Sequence, residues 1–597
     1  MQTVWQRVAC LAVAAIASIL MPACGGGGES GGSDSAVAPL SCDDSMKTAF
    51  KPDAQTTVAL VKAFKKGDQI LLSGTATATT PSAANDICLV KLLIGPGHAG
   101  PAGAPSTTPG IGVELWLPTT ANWNKRLHVL GGAGMAGGPQ ATLTSVANAP
   151  TAAPWVVAGV EGAVAATTDT GHPAGNSSFL MKPDGTINTV GWSEFSERGI
   201  HEMTVKAKAL AQAYYGTAAR YTYWHGGSTG GRQGLKQAQL YPDDFNGIIA
   251  SAPAINWTKF TATQLWAQIV IQRELGGVPF TTGQWNNVSM AAISACDVVG
   301  GMHLGYLLDP STCTYDPTTD AAVLCTASGG TNATANCLTS AQAHAANKIW
   351  YGPTTDGSTP SPSIDNGLRT TLSPKQIWFG WPRGGSIGAT SVATGGIQYD
   401  MVALFLQDPT IAGSTFLNAK ANGANGWKNL SYAQLADAIA QGYAMEAASF
   451  AHISTDNPDL SKFRDRGGKL ITVVGTSDST IPHAGVLNYY TRVAAQMGGI
   501  PAIQSFYKLY TIPGMGHFPA NGTENPAANP PLYPEDANYR ALTNWVENGI
   551  APADKIDIRS SATAANPTVV TGPMCAYPKM PVYTSGDIRA AASYTCS

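Results

Sequence analysis

The run Tyr221-Thr222-Tyr223-Trp224-His225-Gly226-Gly227-Ser228-Thr229-Gly230-Gly231-Arg232-Gln233-Gly234 decides how the rest of the chain is read. Residues Tyr221 to Trp224 suit a strand, a Gly-x-Ser-x-Gly pentad follows from Gly226 to Gly230, and a stretch of helical character runs from Arg232 to Tyr241 before Pro242. Strand, tight turn and helix in that order hold a serine at strained backbone angles, with its hydroxyl pushed out of the end of a sheet. Ser228 is the candidate nucleophile. In a chain with 66 glycines the pentad alone is a weak signal, and it gains weight from its surroundings and from partners downstream.

A serine hydroxyl attacks well only when a base takes its proton and an acid orients that base. In the strand-elbow-helix arrangement the order along the chain is serine, acid, histidine, with both partners on loops after later strands. Asp478 stands in Gly475-Thr476-Ser477-Asp478-Ser479, after the apolar run Lys469 to Val474. His517 stands in Pro513-Gly514-Met515-Gly516-His517-Phe518, after a strand expected over Ile503 to Tyr510. Among rival histidines, His225 falls on the nucleophile strand and is expected to pack locally, His201 falls in a helix, and His483 is expected in a loop at the pocket rim. The oxyanion formed on attack needs two donors. The backbone N–H of Thr229 is the first candidate, and the N–H of Gly134, in the loop Gly131-Gly132-Ala133-Gly134 after the strand Arg126 to Leu130, is the second.

Outward from this centre, strand and helix patterns alternate, which predicts a parallel α/β sheet. Short β-rich runs over Thr57–Val61, Ile70–Leu72, Ile87–Ile94 and Val113–Leu117 suggest an antiparallel lead-in, and Trp155–Val160 reads as another buried strand. Apolar residues Ile200, Met203, Ala207, Leu210, Ala211 and Tyr214 recur at helical spacing. From 254 to 459 the alternation disappears in a region rich in Trp, Thr, Asn and Gly, expected to be an inserted lid domain with a thin core. The predicted organisation is an export signal over 1–24, a flexible tether over 25–40, the first part of the core over 41–253, the lid over 254–459 and the second part of the core over 460–597.

The 597 residues are 44% apolar, enough for a large core, and carry a formal charge of -3 with no basic stripe, which argues against a nucleic-acid partner. Arg7, an apolar run from Val8 to Leu20 and Met21-Pro22-Ala23-Cys24 read as an export signal. Ala23 before Cys24 suggests a lipoprotein signal with Cys24 lipidated and the protein anchored to the periplasmic or outer-membrane surface; plain secretion is the alternative. Eight cysteines remain beyond Cys10 and Cys24: Cys42, Cys88, Cys296, Cys313, Cys325, Cys337, Cys575 and Cys596. An even number in an exported chain reads as disulfides, about 105 connectivities are formally open, and pairing of sequence neighbours is the economical choice.

The stretches Gly131–Gly134, Gly227–Arg232, Tyr241-Pro242, Gly247–Pro253, Phe463–Leu470 and Pro513–His517, taken together, resemble the tannase and feruloyl esterase family, which includes hydrolases of terephthalate monoesters. The resemblance implies an α/β-hydrolase core with a large inserted lid, and hydrolysis of aromatic-acid esters through Ser228, Asp478 and His517. Two departures stand out. Where most members carry a cysteine pair tying the nucleophile to the histidine loop, this chain has Gly227 and Phe518. The family's calcium loop reads Cys296-Asp297-Val298-Val299-Gly300-Gly301-Met302-His303-Leu304-Gly305, with two carboxylates lost, so no metal or other cofactor is expected.

The function expected is an exported serine carboxylic-ester hydrolase acting through an acyl-enzyme on feruloyl, galloyl or terephthaloyl esters, small or polymer-linked. A binding protein on an esterase scaffold and a hydrolase of aliphatic esters are the alternatives. Trp257, Trp378 and Trp381 are expected to stack on the aromatic acid, with Trp266 and Trp350 as further candidates. Arg383 is the candidate partner of a carboxylate or phenolate. Nothing in the sequence indicates an oligomeric state.

Overall fold

Eleven strands form one mixed sheet. In chain order they are β1 (Thr56–Phe64), β2 (Ile87–Ile94), β3 (Ile111–Pro118), β4 (Arg126–Leu130), β5 (Val164–Thr168), β6 (Tyr221–Gly227), β7 (Gly247–Ser251), β8 (Lys469–Gly475), β9 (Tyr507–Ile512), β10 (Lys555–Arg559) and β11 (Thr571–Ala576). Across the sheet they run β1-β2-β3-β5-β4-β6-β7-β8-β9-β11-β10. The six central strands β5 to β9 are mutually parallel, while β1, β2 and β3 at one edge and β10 and β11 at the other pair antiparallel. This computed structural model describes residues 39–387, 396–562 and 566–597. The expected export signal, its Cys24 and nearly all of the tether lie outside the described residues.

Helices cover both faces, and the strands show it by alternation. Trp224, Ile248, Ala250 and Leu470 join the large core under helices α1 (Gly199–Tyr215) and α2 (Thr229–Leu240). Their neighbours Tyr223, Ile249, Ile471 and Val473 point to the other face, where Tyr539, Leu542 and Trp545 of the C-terminal helix Glu535–Asn548 cover them. Period-two alternation between two apolar clusters gives a strand buried on both sides. Each large side chain hidden this way stabilises the fold by roughly 1.5–3 kcal/mol.

Segment 254–459 lies between the adjacent strands β7 and β8 and contributes none to the sheet. Five longer helices make it up: Trp257–Glu274, Thr282–Cys296, Ser340–Tyr351, Ile397–Leu406 and Tyr432–Ser449. Three of them open with a capping box, at Thr281, Thr339 and Ser431. The expected thin core needs correction. A separate apolar cluster, drawn only from residues between Leu265 and Ile439 and containing Trp266, Trp285, Trp350 and Trp427, fills this segment. Disulfides Cys296–Cys313 and Cys325–Cys337 staple it, while Cys42–Cys88 and Cys575–Cys596 fasten the two ends of the described chain. All four join sequence neighbours.

Two expected strands are absent. Trp155–Val160 lies in helical turns, Pro154–Val156 continuing into Val157–Glu161, with Pro154 at the first helical position. The strand of this region is instead Val164–Thr168. Ile70–Leu72 is loop, bending at Leu72, beside an isolated bridge between Gln69 and Ser82. The last parallel strand also starts later than expected, at Tyr507, because Ile500–Ile503 forms a helical turn.

Candidate active site

Ser228 stands between β6 and α2 with φ 58° and ψ -122°, a strained positive-φ conformation that the pentad's turn requires. Such a turn is passable only where the crossing backbones carry no side chains. A Cβ on Gly226 would lie 2.5 Å from the Gly230 backbone. Trp224 braces the elbow from below through Nε1, which donates to the Gly230 carbonyl at 2.8 Å.

Asp478 and His517 leave the sheet on the loops after β8 and β9, and these loops are sewn together. Ser477 N donates to Met515 O (3.0 Å), and Gly514 N donates to the Thr476 hydroxyl (3.1 Å). The carboxylate and imidazole meet directly, with His517 Nδ1 2.8 Å from Asp478 Oδ2. Asp478 is fully buried, and its Oδ1 accepts from the backbone N–H groups of Thr480 and Ile481 at 2.7 and 2.8 Å. Burial pulls the His517 pKa down, but the charge and hydrogen bond of Asp478 outweigh it, so the imidazole is more basic than an ordinary histidine. An imidazole held through Nδ1 offers Nε2 as proton acceptor. His517 lines the same small cavity, about 30 Å³, as Gly227, the residue before Ser228. Among the described residues Ser228 Oγ has no hydrogen-bond partner.

The glycine loop arrives beside the elbow because β4 pairs with β6. Gly131 N donates to His225 O at 2.9 Å, and a Cβ on Gly131 would meet Gly230 Cα at 2.7 Å. Gly132 N is taken by Gln233 Oε1 (3.1 Å). The two candidate oxyanion residues are tied together, since Thr229 Oγ1 donates to the Gly134 carbonyl at 2.5 Å. Further along, His172 lies 2.8 Å from the Met135 carbonyl through Nε2, and burial lowers its pKa to about 4, keeping it neutral.

The family model for tannase and feruloyl esterase matches residues 99–597. The chain belongs to the tannase and feruloyl esterase family. It is 30% identical over 525 residues to a probable feruloyl esterase of Arthroderma benhamiae, with 87% of each chain covered. It is 28% identical over 563 residues to feruloyl esterase B of Aspergillus niger, covering 91% of this chain and 93% of that one. Of solved structures, feruloyl esterase B from Aspergillus oryzae matches with TM-score 0.70 at 24% identity, covering 93% of this chain and 99% of that one. The tannin acyl hydrolase from Aspergillus niger matches with TM-score 0.68 at 22% identity, covering 93% and 95%. Those two likenesses carry the α/β-hydrolase fold, and family membership makes this esterase a carboxylic ester hydrolase.

The substrate contacts expected of this tannase-family esterase need correction. Arg383 is 2% exposed and is held inside the helical segment by the carbonyls of Tyr315 (2.9 Å) and Asn366 (3.0 Å), against the Trp350 ring. Trp381 belongs to the same internal cluster, together with Trp266 and Trp350. Trp257 is 1% exposed, with Arg232 over its ring and Nε1 donating to Met401 Sδ. Trp378 packs beside Phe379 in the main core. All four build core packing, which their burial requires. His201 is a structural histidine bonded to Asp244 (2.7 Å), and His483 opens a helix, buried, instead of rimming a pocket.

The donors near Asp297 do not fit a hard cation. Its carboxylate is bonded to His303 Nδ1 (2.6 Å) and to the Gly305 N–H (2.7 Å), whereas calcium requires six to eight oxygens. Among the described residues no group of three or more His, Cys, Asp or Glu is arranged to hold a metal.

Sequence reading missed the pair that anchors the far limb of the glycine loop. Lys91 and Glu114 face each other across β2 and β3 at 2.8 Å, both wholly buried. Lys91 Nζ donates to the carbonyls of Pro139 (3.0 Å) and Ser145 (2.6 Å), and Glu114 accepts from the Ala147 N–H (3.0 Å) and Trp116 Nε1 (2.7 Å). One opposite charge in each of two otherwise apolar neighbouring strands was the available signal. Lys91→Met strands a buried carboxylate and is expected to destabilise by about 3–5 kcal/mol. Lys91→Met/Glu114→Gln should recover part of that loss; the thermal unfolding midpoints of both variants check it.

Proposed function

We propose that this esterase cleaves esters of aromatic acids through a Ser228 acyl-enzyme. Ser228 Oγ attacks the ester carbonyl while His517 Nε2 takes its proton, and Asp478 stays ionised to steady the imidazolium. The N–H groups of Thr229 and Gly134 donate to the oxyanion. Collapse breaks the bond to the alcohol, which leaves with the proton from His517. Water, deprotonated by the same nitrogen, then attacks the acyl carbon and frees the acid and Ser228. The observation that carries this reading is the His517–Asp478 hydrogen bond on loops stitched together beside a strained serine.

Esters of hydroxycinnamic, gallic or terephthalic acid are the proposed substrates, in line with the relatives named feruloyl esterase and tannin acyl hydrolase. The reaction needs no calcium, as the donors around Asp297 suggest. Four disulfides favour an oxidising, extracytoplasmic location, secreted or tethered through Cys24. No helix among the described residues is long and apolar enough to cross a membrane. Purified protein, assayed in chelator on methyl ferulate, methyl gallate, a terephthalate monoester and a short aliphatic ester, should show its highest kcat/KM on one of the aromatic acids. Preference for the aliphatic ester would overturn the substrate assignment while leaving the serine mechanism intact.

A further inference from the structure

A cavity of about 410 Å³ lies on the sheet face covered by helix Glu535–Asn548, between that helix and the turns around Val157. Its apolar wall includes Ala152, Val157 and Val160, and its floor is polar and buried: His128 on β4, His225 on β6 and Tyr539. The three rings lie almost parallel, His128 and Tyr539 at 3.9 Å and 7°, His128 and His225 at 5.5 Å and 12°. His225 also lines the small cavity beside His517, so the two cavities share that ring, but none of the three groups has a role in the proposed ester chemistry.

Hydrogen bonds fix what this floor offers. Glu161 accepts from the Tyr539 hydroxyl at 2.6 Å and from His128 Nδ1 at 2.7 Å. Burial raises the Glu161 pKa, but His128 and these bonds bring it below the ordinary value, so the carboxylate stays ionised and His128 Nδ1 must be the donor. Burial, with His128 beside it, lowers the His225 pKa to about 3, so that ring is neutral; in the tautomer the site requires, His225 Nδ1 donates to His128 Nε2, 3.4 Å away. His225 is left with a bare lone pair on Nε2, a nitrogen with no partner among the described residues, on a ring that is 6% exposed and lines the cavity. Cations at the rim are already engaged: Arg126 bridges Glu547 and Arg540 bridges Asp536. An anionic occupant therefore finds no free positive charge among the lining residues.

We propose that this cavity is a second binding site, for a neutral hydroxylated aromatic ring, a phenol, whose O–H donates to His225 Nε2. The apolar wall takes the ring, the acceptor selects the hydroxyl, and the carboxylates of Glu161 and Asp536 disfavour a carboxylate ligand. The site stands whether or not Ser228 is the nucleophile.

Titration calorimetry of the full chain at pH 8.5 with phenol, anisole and benzoate tests it. Phenol should bind with one-to-one stoichiometry, and anisole, which lacks the donor, and benzoate should each bind at least about tenfold more weakly. Val160→Trp fills the mouth from a position 67% exposed, so it should weaken phenol at least about tenfold while leaving ester turnover unchanged. His225→Phe should reduce phenol to the level of anisole; if that variant does not fold, Val160→Trp decides. Equal binding of phenol and anisole, or phenol binding undisturbed by Val160→Trp, would overturn the proposal.

Discussion

Ser228→Ala is expected to lower kcat by about 10⁴- to 10⁶-fold, the range in which serine hydrolases lose their nucleophile. Positioning by the remaining groups should leave a small excess over the uncatalysed rate. Fold stability should hardly move. Ser228 Oγ has no hydrogen-bond partner among the described residues, and alanine at φ 58° carries the same backbone strain as serine. The measurement is kcat on a chromogenic aryl ester, beside the melting midpoint and labelling by a fluorophosphonate. A variant that melts like the parent, takes no label and has lost turnover places the chemistry at this hydroxyl. One that keeps a tenth of its turnover removes Ser228 from the mechanism, whatever the family.

The elbow, the two loop partners and the four disulfides were legible because each rests on local constraints. A strand-turn-serine-helix run leaves few conformations open, and loops after buried strands announce themselves through the apolar runs before them. Trp155–Val160 failed for the opposite reason: a short apolar run bears no period that separates a strand from a buried helical turn, and the decisive residue was Pro154 at the helix start. The neighbouring strand Val164–Thr168 was overlooked because Ala165 and Ala166 are small; it packs between β3 and β4, where bulk would not fit. Tryptophans in the helical segment invited a substrate role, but a segment contributing no strand to the main sheet needs large apolar side chains of its own, which Trp266, Trp350 and Trp381 supply, while Trp257 and Trp378 pack into the main core. Arg383 misled similarly. An arginine in a polar, aromatic-rich stretch looks like an anion partner until carbonyls are seen to surround it. The Lys91–Glu114 pair and the Glu161–His128–His225 relay join residues far apart in sequence, so only folding reveals them.

Asp478→Asn should cost nearly as much as loss of the serine, about 10⁴-fold in kcat, by a different route. Asp478 Oδ1 accepts two backbone N–H groups, so an asparagine in this buried position keeps its oxygen there and turns its NH₂ toward His517 Nδ1. That nitrogen would then have to accept, the ring proton would move to Nε2, and the imidazole would face Ser228 as a donor instead of a base. The pH profile separates this from simple loss of structure. In the parent, Asp478 raises the His517 pKa above the ordinary 6.5, so kcat/KM should be full above that raised value and fall as pH drops through it, when the imidazole gains its proton. Removing the carboxylate leaves burial unopposed, and burial lowers the pKa; the acid limb of the variant should therefore move below 6.5. The activity gap between parent and variant should narrow toward acid pH. A variant limb at the parent's position would show that Asp478 is not the group that sets the basicity of His517.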